Sequence, residues 1–382
     1  MPSRTAIAAL MIAGLLAVSR AATGDGLPTD ATLARLIEEA LAARSELAQA
    51  NAVVAAETER APQAGAFPDP MLSLSVQNDG FTSIEIGRMD TSFASLMVSQ
   101  TFPWFGKRKL RRQVAELGAT QAQEVAERVR LATEADVRRA YLDLLLVRDR
   151  LALLDELDGI WRNSLGIARV RYETGNGAQS DVLRAQLEQN RIKQRRFALK
   201  AQEENTVQNL NRLRNHPLTE AIETPTHVRD LPASIDLADR FSVDQALAKS
   251  PELAAARLGQ SRANRSVALA EKSYYPDLTV GAGIMYRGEL PPMWLVSVGG
   301  PLPIFAGQKQ SRAVAENRAR VLAAEKEIET IKQVLRLRTE ERHIALVAQI
   351  AVIDLYRQGL LVQSKATADS TLSQYKVGRV SF

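Results

Sequence analysis

The chain has 382 residues, with 49 Lys and Arg against 44 Asp and Glu, a formal net charge of +5, three histidines and no cysteine. The missing thiols exclude disulfides and any thiolate metal or redox chemistry. The basic residues alternate with acids along helical stretches and form no patch, which sets nucleic acid aside as a partner.

In chain order, Arg4, the apolar run Ala6 to Val18 and Ser19-Arg20-Ala21-Ala22 have the order of a secretory signal, predicted over 1–22. No cysteine follows it to accept a lipid. From Ala31 to Glu59 alanine and leucine recur at helical spacing, and Phe67-Pro68-Asp69 breaks that period. Over Met71 to Gln77 the period becomes two. Leu72, Leu74 and Val76 face one side and Ser73, Ser75 and Gln77 the other, the apolar-out and small-polar-in pattern of a membrane barrel strand. A loop from Asn78 to Asp90 leads to a second alternating segment around Leu96 and Val98, which completes a β-hairpin.

Next comes the corner Phe102-Pro103-Trp104-Phe105-Gly106-Lys107-Arg108. From Lys107 to about Tyr172 there is no proline, so the spacing predicts a rod of about 65 residues, on the order of 100 Å. Apolar residues at three and four spacings (Leu110, Val114, Leu117, then Val137, Tyr141, Leu144, Leu145) require partner helices along it. Gly175 and Gly177 stop the rod, and Ser180 or Asp181 can cap a return helix to about Asn211.

The second half repeats this order. Ala40 to Leu47 matches Ala246 to Leu253, Phe67-Pro-Asp69 matches Tyr275-Pro-Asp277, and the corner matches Leu302-Pro303-Ile304-Phe305. Val114-Ala-Glu116 falls on Val314-Ala-Glu316, and Tyr172-Glu-Thr-Gly175 on Tyr375-Lys-Val-Gly378. The offsets are only 200 to 208, so the chain is a tandem duplication, 23–226 and 227–382. The second copy is predicted to have one helix over Ser242 to Lys272, strands around Val280 and Val296, a loop from Arg287 to Pro292, and a rod from Gln308 to about Gln374. It stops four residues after Gly378, where the first copy runs about 40 residues past its turn, so its return helix is expected to be missing and the chain truncated.

The fold class that follows is mainly α with a membrane β-barrel part. Four strands are too few for a closed barrel of about eight or more, whereas three chains supply twelve. Phe102, Trp104, Phe105 and Phe305 then lie at the headgroup level, and Pro103 and Pro303 end the strand ladders there.

This order of helix, hairpin, long helix, glycine turn and helix, written twice, resembles the TolC-type outer-membrane efflux proteins from about Ala31 to Phe382. The Gln100-Thr-Phe-Pro-Trp-Phe-Gly-Lys-Arg108 corner looks most like the branch serving heavy-metal exporters of the cobalt-zinc-cadmium and copper type. The resemblance implies a homotrimer in the outer membrane of a Gram-negative bacterium, a twelve-stranded barrel continued by a periplasmic tunnel. It also implies a passive exit duct for small molecules or metal ions, with a periplasmic adaptor, an inner-membrane pump and outer-membrane lipid as partners. It places Tyr172, Gly175, Asp181, Tyr375 and Gly378 at the periplasmic tip and gate, with Asp181 bonded to Tyr375 of the neighbouring copy. Val380 stands where the best-known member of the family has a gating arginine.

No catalytic residue, cofactor or metal site is predicted. His216, His227 and His343 lack metal-ligand spacing, and no glycine-rich phosphate loop follows a strand. The alternatives are a periplasmic coiled-coil adaptor of an export system, which would carry a single helical hairpin and no duplicated strands, and a non-functional truncated channel fragment.

Overall fold

The computed structural model describes residues 30–231, 242–377 and 379–380; the signal predicted over 1–22 and Gly378 lie outside the described residues. Each copy opens with two helices in place of the single one expected: α1 (Ala31–Ala43) and α2 (Ser45–Gly65), then α5 (Val243–Lys249) and α6 (Pro251–Lys272). Both breaks fall at matched positions. Arg44 and Ser250 are extended, with ψ of 120 and 114. At Ser250 the cause is Pro251, which drives its predecessor out of the helical region and supplies a preorganised first turn.

The hairpins are β1 (Met71–Gln77) with β2 (Phe93–Phe102), and β3 (Leu278–Arg287) with β4 (Leu290–Gly299). They join in one antiparallel sheet of order β1-β2-β3-β4. The expected loop from Arg287 to Pro292 is a two-residue turn, because Gly288 at φ +66 reverses the chain and Arg287 pairs with Leu290. Pro291 and Pro292 therefore stand inside β4. They are tolerated there because β4 lies at the sheet's edge.

The rods are α3 (Lys107–Glu173), followed by α4 (Gln179–Leu213), and α7 (Gln310–Leu355), which passes through a π-helical turn, Tyr356–Leu360, into α8 (Leu361–Lys376). Each strand continues a helix, so the helices beneath the sheet stand in the same order as the strands, α2-α3-α6-α7. The main core lies where α1, α3 and α4 meet. Leu33, Leu36, Val137, Tyr141, Leu144, Leu210 and Leu213 close it, each worth about 1.5 to 3 kcal/mol. Asp30 caps α1 through Leu33 N–H at 2.7 Å and accepts from the Tyr141 hydroxyl. Buried Arg214 donates to Glu39 and, at 3.1 Å, to Glu220.

Candidate functional site: the two ends of the first rod

At the corner, β2 ends at Phe102, Pro103 stops the ladder, and Gly106 at φ +88 takes the left-handed conformation that turns the chain into α3. This turn brings Lys107, the first residue of α3, against the start of β3. Its ammonium donates to Asp277 Oδ1 at 2.6 Å and to the Tyr275 carbonyl at 2.7 Å, and Trp104 N–H donates to the same Asp277 oxygen at 2.9 Å. The Trp104 ring stacks on Tyr275 with centroids 5.4 Å apart, and Phe105 meets Trp104 edge-on at 5.9 Å. Burial pushes the Asp277 carboxyl up, but the Lys107 and Trp104 hydrogen bonds outweigh it and hold the group below the usual carboxylate value.

The other flank of the corner is also tied. Phe67 packs edge-on against Phe102 at 6.0 Å, and the Arg108 guanidinium lies over the Phe67 ring at 3.4 Å. One corner thus engages the aromatic-Pro-Asp motifs of both copies. The second corner is open by comparison: it flanks a cleft beside Tyr275 and Asp277, and Leu302, Ile304 and Phe305 are 68% to 77% exposed. The expectation that Pro303 ends the second ladder does not hold: β4 stops at Gly299, ahead of Gly300 and Pro301, and Phe305 is not brought to a partner ring among the described residues.

At the far end of α3, Gly175 at φ +73 reverses the chain. Tyr375, 4% exposed, is gripped there by Arg171, which donates to the Tyr375 carbonyl at 2.6 Å and to the Asn176 carbonyl at 2.9 Å while its guanidinium sits 4.7 Å from the Tyr375 ring. The Tyr375 hydroxyl lies 3.4 Å from Asp181 Oδ2. Burial and the Asp181 charge both push the Tyr375 phenol up, so it remains a neutral donor. Tyr172, by contrast, is 49% exposed and lies outside this cluster.

Three residues of these clusters were not singled out from the sequence. Arg171 carries no motif, since one arginine among the many on α3 gives no signal. Lys107 and Asp277 stand inside quoted motifs, but only the fold shows that they meet. Among the described residues no three His, Asp or Glu gather as a metal site. Both clusters tie the two copies together through hydrogen bonds between residues 168 to 204 positions apart in sequence.

The model of the outer membrane efflux protein family matches residues 36–216 and 242–381. No curated protein sequence matches the chain. Among solved structures, the outer-membrane channel OprN is 19% identical, with a TM-score of 0.77 over 92% of this chain and 82% of that one. The outer membrane protein VceC of Vibrio cholerae is 18% identical, with a TM-score of 0.75 over 92% and 87%. CusC is 17% identical, with a TM-score of 0.74 over 93% and 84%. The fold is that of these channels, and with both halves of the duplication matched, this chain belongs to the outer membrane efflux protein family.

Proposed function

We propose that three copies of this chain form a passive exit duct across the outer membrane of a Gram-negative bacterium, reached from an inner-membrane pump through a periplasmic adaptor. The observation that carries this reading is the continuity of a two-faced sheet with the rods. Leu72, Leu74, Val76, Val296 and Val298 are large, apolar and exposed on one face, and the other face carries Ser73, Ser75, Ser297 and Gly281. Such a sheet is stable only with lipid on the first face and water on the second. The aromatic corner then lies at the headgroup level, and the Arg171, Tyr375 and Asp181 cluster lies at the periplasmic end, where it holds the tip of the second rod against the first.

A single-hairpin adaptor does not account for two hairpins sharing one sheet. The water-facing strand positions carry serine, glycine and threonine together with Met71, Met97, Met285, Met293 and Leu295, with no charged residue among these to sort cargo, so selection is assigned to the pump. Purified protein in a planar bilayer is expected to give a steady, water-filled conductance without nucleotide. Absence of conductance from a reconstituted trimer would overturn the reading.

A further inference from the structure

The sheet has two open edges, β1 and β4, and the duplication states how they meet. The hairpins have one register under the repeat offsets: Met71 opposite Ser99 and Leu74 opposite Leu96 in the first become Thr279 opposite Gly299 and Ala282 opposite Val296 in the second. Strands β1 and β3 correspond by 208 residues, and β2 and β4 by 200. Within the chain the copies join at β2 and β3, with Leu96 opposite Ile284 and Val98 opposite Ala282.

From this we infer the register of the seam between two chains: β4 of one copy pairs antiparallel with β1 of the next, with Val298 opposite Leu74, Ser297 opposite Ser75 and Val296 opposite Val76. The inference rests on the three-copy duct and deepens it. Each pair repeats an observed one: Val98 with Ala282, Met97 with Gly283 and Leu96 with Ile284. The faces agree, because Leu74, Val76, Val296 and Val298 are all among the exposed apolar residues. The prolines agree as well. In this register Pro292 stands opposite Gly80, past the end of β1 at Gln77, so neither Pro291 nor Pro292 is asked for an N–H it lacks. A slip of one residue would turn one strand's apolar face toward the water-filled bore.

The absence of cysteine makes the test direct. Ser75→Cys with Ser297→Cys in the full chain, oxidised in the outer membrane and run unfolded without reductant, is expected to give a covalent ladder ending at three copies. The two positions cannot bridge within one chain, since β1 and β4 are three strand spacings apart, about 14 Å. Gln77→Cys with Ser297→Cys, displaced by two residues, is expected to cross-link at least about fivefold less. Ser75→Cys with Ser95→Cys, directly opposed within one chain, reports that the hairpin has formed. Closure of this control without the matched ladder overturns the seam, and a displaced pair that equals or exceeds the matched one overturns the register alone. A matched ladder that ends at any other number upholds the register and overturns the three-copy reading.

Discussion

The two rods are written alike and buried differently. Along α3 the buried positions run from Lys107 and Ala115 through Leu144 and Leu154 to Ala168, covered by α2 and α6 near the sheet and by α1 and α4 beyond it. On α7 only Val314 and Ile328 are buried, and Leu337, Ile344, Leu355, Leu361 and Val362 are 59% to 66% exposed from there through α8. The distal stretch is apolar enough to pass for a membrane-crossing helix, yet none of that window is buried within the chain. Apolar spacing therefore records what a helix will touch in an assembly, and one chain satisfies only the seam that lies inside it. The corners repeat this contrast, one latched and one bare.

The contrast predicts unequal sensitivity. Asp277→Ala removes the acceptor of a partly buried ammonium and should cost about 3 kcal/mol, read as a lower thermal midpoint of the heat-modifiable trimer. Matched costs for Asp277→Ala and for alanine at Lys309 on the bare corner would break the comparison. Trp104→Asp should remove the Tyr275 stack and place a charge at the headgroup level, with a loss of about 2 kcal/mol and a reduced trimer yield. Arg171→Ala should cost about 1.5 kcal/mol through two charge-assisted bonds to carbonyls and free the tip, which a bilayer recording would show as higher conductance. Tyr375→Phe removes only the 3.4 Å contact with Asp181 and should change that conductance little, at about 0.5 kcal/mol or less.

Acid gives the smallest effect. Asp277 is held below its ordinary value of 3.8 in the folded chain. Its contribution is thus fully present above 3.8 and disappears only as the pH falls through the lowered folded value. Acid unfolding of the Asp277→Asn variant should lack that final slope; identical acid limbs would show that the latch does not titrate.

Much of this was legible in the residues themselves. The alternation at Leu72 to Val76, the proline-free run after Lys107 and the repeated corner are local patterns, and local patterns survive in any assembly. The break at Arg44 was not legible, because nothing near it disfavours a helix, whereas its partner at Ser250 is announced by Pro251. The prolines at 291 and 292 suggested a longer loop than Gly288 makes, since an edge strand forgives what a central strand would not. Lys107 with Asp277, and Arg171 with Tyr375, join residues far apart in sequence. No spacing rule reaches that distance, and only the stacking of one copy on the other brings them together.

The registers of the sheet also set the shape of the pore. Walking at right angles to the strands from Met71 leads to Ser99, then Gly281, then Ser297, and across the proposed seam to Ser75 of the next chain. That is a climb of four residues per chain, a shear of about twelve for about twelve strands. With a rise of about 3.3 Å and a spacing of about 4.8 Å, the strands tilt by about 35° and the backbone circle has a radius of about 11 Å. With the proposed seam, three copies of one short set of pairings would thus fix the bore of the whole duct at the membrane.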